Sequence, residues 1–197
     1  MEERTLRAHN SGIDAIRLIA SRFEDQDWDA QSGCEGWSAR DLAGHLVAVA
    51  NLWHEILDRA EAGDSSLIFP FEDFAEWNTS SLAALPDESG QERIARYAER
   101  ASAFVDRVRD HEDLLVGAPP ASVSAVPMTL DLFTRFNPSE WHLHALDLAV
   151  AIGGTYRAED GAWLFEGWRE LLGLDPLRGD GWTAVVRLSG RRLPAES

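Results

Sequence analysis

Apolar positions in this chain recur mainly at steps of three and four, the period of helices that pack through one face. Over about residues 3–24, Leu6, Ile13, Ile16, Ile19, Ala20 and Phe23 fall on one such stripe. Asp, Ser and two Gly mark Asp27 to Gly36 as a loop. Ser38, followed three residues later by Asp41, resembles a capping box with the acid in place of the usual Glu. It predicts a helix to about Ala62 through Leu42, His45, Leu46, Val49, Leu52, Trp53 and Ile56, stopped by Gly63.

Residues 64–90 are punctuated by Pro70, Asn78, Pro86 and Gly90, with a short helix expected over Phe71 to Leu85. The helical stripe returns from Gln91 to about Arg109, through Ile94, Tyr97, Ala101, Phe104 and Val108. The stretch from Val116 to Pro127, rich in Pro, Ala and Ser, reads as a long connection. Met128 to Phe136 reads as an earlier helical turn that Pro138 kinks or ends.

Asn137-Pro138 is a helix start, with Asn as N-cap and Pro at the first helical position. Trp141, Leu143, Leu146, Leu148, Ala149 and Ile152 carry that helix to Gly153-Gly154. A fifth pattern covers about Ala158 to Leu172, and Thr183 to Leu188 reads as a short β-like run. The expected fold is all-α: an up-down four-helix bundle with an additional C-terminal helix. One domain is expected over residues 1–197, with a core at about 5–155 and a C-terminal extension at about 156–197.

Composition narrows the classes of function. With 45% hydrophobic and 26% charged residues, the 197-residue chain has the balance of a globular protein. Its eight Trp suggest a core or pocket filled with large flat side chains. The net charge of −16 argues against nucleic acid and anionic membranes as partners. A single cysteine, Cys34, excludes an intramolecular disulfide. The first residues lack an apolar core, and no apolar run approaches the roughly 20 residues that span a bilayer. A cytoplasmic location is the expectation.

Glu140 and His144 stand four apart on one helix, so their heads can converge on one ion. A solvated acid beside a core-edge histidine would show the same spacing. His45 tips the balance, because it lies on the stripe that should be buried, among Leu42, Leu46 and Val49. An unpaired buried imidazole is costly, so it needs a partner. Two histidines and a carboxylate from facing helices make a three-ligand site for one divalent metal.

Asp147, three residues past His144, is either a group that steadies a ligand or an acceptor for a neighbouring amide. Asp41 reads as a helix-start residue. Arg40 and Arg135 flank the two segments, either as contacts for a substrate carboxylate or as surface ion pairs. Cys34 can approach the metal from the entry loop or simply pack there. Trp37 is expected to plug the bundle end, and Trp53 and Trp141 to line the pocket or fill the core. His142 is rotated about 200° from His144 and is expected at the surface or against a neighbour. His54 falls on the face opposite His45, and His9 and His111 have no supporting context.

The run CEGWSARDLAGHL, residues 34–46, and the run EWHLHALDL, residues 140–148, also carry a resemblance. They resemble the two signatures of the DinB-like, mycothiol-dependent maleylpyruvate isomerase superfamily, in the same order, over roughly residues 5–155. The resemblance implies a DinB-like four-helix bundle in which His45, Glu140 and His144 bind a divalent metal. Zinc is the first expectation, with Ni2+, Fe2+ or Mn2+ as alternatives. It implies mycothiol, or another low-molecular-weight thiol, as co-substrate, with a small electrophile as substrate and a homodimer as one assembly. The isomerase carries a further C-terminal domain for which this chain has no room, so a substrate other than maleylpyruvate is expected.

Three ligands leave a position open, as in a catalytic zinc site. A thiol bound there loses its proton near neutrality, and water can also be activated. Three readings therefore stand: a thiol-dependent transferase or isomerase, a metal-dependent hydrolase, and a non-catalytic metal- or thiol-binding module.

Overall fold

The computed structural model of the protein describes residues 1–109, 111, 113–117 and 127–193. Most of the expected connection from Val116 to Pro127 lies outside the described residues. The helices are α1 (Glu3–Ala20), α2 (Ala39–Glu61), α3 (Phe74–Ala83), α4 (Gly90–Val108), α5 (Leu130–Phe136), α6 (Pro138–Ala151), α7 (Gly161–Leu172) and α8 (Gly181–Leu188). Strands β1 (Leu115–Val116) and β2 (Met128–Thr129) pair antiparallel.

Local chemistry explains the helix starts. The Ser38 hydroxyl accepts from the Asp41 amide, and the Asp41 carboxylate accepts from the Ser38 amide, so two otherwise unpaired donors are satisfied where α2 begins. Ser89 and Glu92 repeat the device for α4. Asn137 does not act as a cap. Its backbone is helical (φ −61°, ψ −30°) and its side chain makes no capping bond, because α5 runs through it into α6. Pro138 does occupy the first turn of α6, and the Thr134 carbonyl four residues back is bonded by His9 Nε2 instead.

Helices α1, α2, α4 and α6 form the bundle, with α1 against α4 and α6, and α2 against α4 and α6. Ion and hydrogen-bond partners advance together along α2 and α4: Arg93 reaches the Arg40 carbonyl, Arg100 the Asn51 side chain, and Arg107 Asp58 and Glu61. These two helices therefore run the same way, so the bundle is all-α as expected but does not simply alternate up and down: the long connection holding α3 returns the chain between them. The centre is filled by Ile16, Leu42, Leu46, Tyr97, Phe104 and Trp141, all buried. Trp141 packs on Trp53 at 4.2 Å between ring centroids, so both rings fill core.

A second apolar cluster covers the outer face of α6. There Leu143 and Leu146 meet Leu164 and Phe165 of α7 and Trp182, Val185 and Val186 of α8. The run expected to be β-like at Thr183 to Leu188 is helical instead. Asp180 accepts from the Thr183 amide and caps the helix. Trp182, Val185 and Val186 then fall on one buried helical face. Burial and the cap outweigh the strand preference of the branched side chains.

Candidate metal centre

Helices α2 and α6 bring three side chains to one point inside the bundle. His45 Nε2 lies 3.7 Å from Glu140 Oε1, and His144 Nε2 lies 3.0 Å from the same oxygen. One ligand atom from each of the three residues falls within 4.8 Å of the other two. The two imidazole rings meet nearly edge to face, 5.0 Å apart. The His45 and His144 side chains are 4% and 5% exposed, whereas Glu140 keeps 33%, so the cluster opens to solvent on the Glu140 side.

The far nitrogen of each ring is held by an acceptor. His45 Nδ1 donates to Asn78 Oδ1 of α3 at 2.9 Å. His144 Nδ1 donates to Asp147 Oδ2 at 2.9 Å. With Nδ1 committed there, each ring turns its Nε2 toward Glu140 Oε1, and a protonated His144 donates its Nε2–H to that oxygen. Two imidazole nitrogens and a carboxylate oxygen facing one another at these distances can share a proton, as here, or take a metal ion in its place.

The electrostatics agree with this. Burial works against a charge on His144, but the Glu140 charge and hydrogen bonds with Asp147, Cys34 and Glu140 overcome it and hold its pKa well above the usual value. Burial would raise Glu140, yet the charge and hydrogen bonds of His144, with those of His45, keep it well below the usual carboxylate range. Burial dominates at His45 and pushes its pKa down, favouring the neutral form that ligates a metal.

Asp147 is the busiest group behind the cluster. Its carboxylate accepts from His144, from the Cys34 thiol at 3.2 Å and from Arg191. It therefore steadies a ring rather than capping an amide. Cys34 faces the Nδ1 side of His144, at 3.9 Å, away from the point where the three heads meet. Trp37 packs its ring 4.9 Å from that of His45.

Other candidates lie elsewhere. Arg40 pairs with Asp29 at the surface, and Arg135 pairs with Asp131 and Glu170. His142 is buried, bonded to the Ala8 carbonyl and the Tyr156 hydroxyl. His54 bonds the Arg100 carbonyl, and His9 the Thr134 carbonyl. Sequence reasoning missed Asn78 and Arg191. Asn78 sits on a helix whose apolar pattern is weak, and Arg191 sits in a Gly- and Pro-punctuated tail with no motif around it.

The fold and these donors define an all-α protein of the DinB-like class. The chain belongs to the mycothiol maleylpyruvate isomerase N-terminal domain family, whose model matches residues 10–149. Among solved structures, a crystal structure of a histidine-to-alanine mutant of the mycothiol-dependent maleylpyruvate isomerase is similar to it, with a TM-score of 0.58 and 16% identity. That similarity covers 84% of this chain and 66% of the isomerase chain, just under two thirds of its length. No curated protein sequence matches this one. Among the described residues, no helix is long and apolar enough to cross a membrane.

Proposed function

We propose that this protein binds one divalent metal ion, zinc in the first place, through His45, Glu140 and His144, and uses it in a transferase or isomerase reaction that takes a low-molecular-weight thiol as co-substrate. The observation that carries the reading is the pair of outer bonds, Asn78 to His45 and Asp147 to His144, which turn both Nε2 atoms toward Glu140. This is the arrangement of metal-bound histidines, whose second nitrogen is held by an amide or carboxylate. A bound ion with three protein ligands would supply an open position at which a thiol loses its proton near neutrality.

The chain's own residues supply the rest. Glu140 forms the solvent-facing side of the site, so an incoming thiol approaches past it. Trp37 and the buried wall of α2 keep water from the His45 side. Membership of a family named for mycothiol supports mycothiol as the thiol and a small electrophile as its partner. The hydrolase reading needs a free base beside the metal. Asp147, the candidate for it, is occupied by His144, Cys34 and Arg191. A reduced thiol co-substrate also fits a cytoplasmic location.

The test is a thiol titration of the cobalt-substituted protein followed by visible absorption. Mycothiol should change the spectrum of the wild type and leave His45→Ala without a saturable change. A wild-type spectrum indifferent to every small thiol would remove the reading.

A further inference from the structure

Behind the metal cluster lies a contact that reaches it from the far end of the chain. Arg191 follows α8, and its Nε lies 3.1 Å from Asp147 Oδ1 and 3.0 Å from Oδ2, while its Nη2 lies 2.8 Å from Oδ2. The Asp147 side chain is only 3% exposed. Its carboxylate is thus gripped by a planar fork on one side while it accepts from His144 and Cys34 on another.

We propose that Arg191 is a positioning residue of the metal centre: it fixes the plane of the Asp147 carboxylate, and through it the ring angle and tautomer of His144. The inference rests on the metal-binding reading above.

Three physical points support it. The terminal torsion of an aspartate is broad, so the carboxylate plane is not set by its own rotamer. A guanidinium donating through two nitrogens sets it, which an ammonium cannot do as well. The backbone of Asp147 is anchored independently, because the Gly33 amide donates to its carbonyl at 2.9 Å. A Cβ at Gly33 would stand 2.6 Å from Asp147 Oδ1, so only glycine lets that loop close on the carboxylate. His144 and Cys34 each reach only Oδ2, so Arg191, whose guanidinium contacts both carboxylate oxygens, supplies the constraint on the plane that they do not.

A buried ion pair is poor evidence for stability, since desolvation offsets most of the attraction. The oxygen that Arg191 holds most closely, Oδ2, is the one that receives the His144 proton. Helix α8 delivers the arginine by packing Trp182, Val185 and Val186 against the outer face of α6. The C-terminal helices are thereby coupled to a ligand on the opposite side of the same helix.

The experiment measures zinc affinity by competition with a chromophoric chelator for wild type, Arg191→Gln and Arg191→Lys, with thermal melts of the metal-free proteins alongside. Arg191→Gln should bind zinc about 10- to 100-fold more weakly, the usual cost of losing a group that orients a ligand. Arg191→Lys should recover part of the loss, and the cobalt absorption band of Arg191→Gln should shift. A purely structural role would lower the melting temperature and leave zinc affinity and the cobalt band of the folded protein unchanged, which would overturn the proposal. Should Arg191→Gln fail to fold, Arg191→Lys decides: weaker zinc binding at an unchanged metal-free melting temperature supports the proposal, and wild-type affinity overturns it. If the wild type itself binds no zinc, the metal reading fails and this inference falls with it. Tight wild-type binding with indifferent Arg191 variants sinks this inference alone.

Discussion

Asp147 Oδ2 accepts the Nδ1 proton of His144 at 2.9 Å, one turn further along the same helix. The spacing of three places both side chains on one face of α6, so the backbone pre-sets the pair before any metal arrives. The bond leaves His144 Nε2 as the only ring nitrogen facing Glu140. Asp147→Asn keeps the shape and can turn its amide N–H₂ toward Nδ1, which favours the wrong tautomer. Zinc affinity should fall by about 10- to 100-fold, measured by chelator competition.

Asn78 plays the corresponding part for His45 from a separate helix. It is a neutral acceptor, half-buried, on a short helix with no buried residue. Its constraint is weaker than that of a buried carboxylate. Asn78→Leu should weaken zinc binding by about tenfold, at the lower end of what loss of an orienting group costs. A loss as large as that of Asp147→Asn would show that α3 holds more of the site than this bond.

Much of this was legible in the sequence for a physical reason. Ser38 and Asp41 announce α2 through chemistry confined to four residues, and the i, i+4 pair of Glu140 and His144 needs only helical geometry. His45 stands out because a polar residue interrupts an apolar stripe. What stayed hidden depends on contacts distant in sequence. His142 is buried because α7 and α8 cover a face of α6 that its own sequence leaves undecided. Thr183 to Leu188 reads as a strand until Asp180 caps it and α6 receives its apolar face. Arg191 acquires meaning only when the tail is placed 44 residues back along the chain, beside Asp147.

The core makes its own prediction about acid. His9 is fully buried, with its Nδ1 unpartnered and its ring edge to face with Trp53. Burial lowers its pKa from 6.5 to about 3, so the native state resists a proton that the unfolded chain accepts. The stability tied to this neutral ring is fully present above pH 6.5 and is lost as pH falls toward 3. Between pH 6.5 and 4.5 it should contribute a loss of about 2–3 kcal/mol. Denaturant unfolding at several pH values checks it: His9→Gln should flatten the curve over that window, and an unchanged slope would contradict the account.

Helix α8 should also matter for stability. Trp182 is 1% exposed and packs against His142 and Tyr156. Trp182→Ala should cost about 3–5 kcal/mol in denaturant unfolding of the metal-free protein, as expected for emptying a large buried site. A loss below about 1 kcal/mol would mean that the helix docks only loosely.

The account stands most directly on how much metal the chain holds and which side chains hold it. Elemental analysis of purified protein after zinc loading and desalting should give close to one zinc per chain for the wild type. His45→Ala, Glu140→Ala and His144→Ala should each come out essentially empty while remaining helical by circular dichroism. Wild-type protein that retains no metal, or alanine variants that retain it in full, would contradict the three-residue centre.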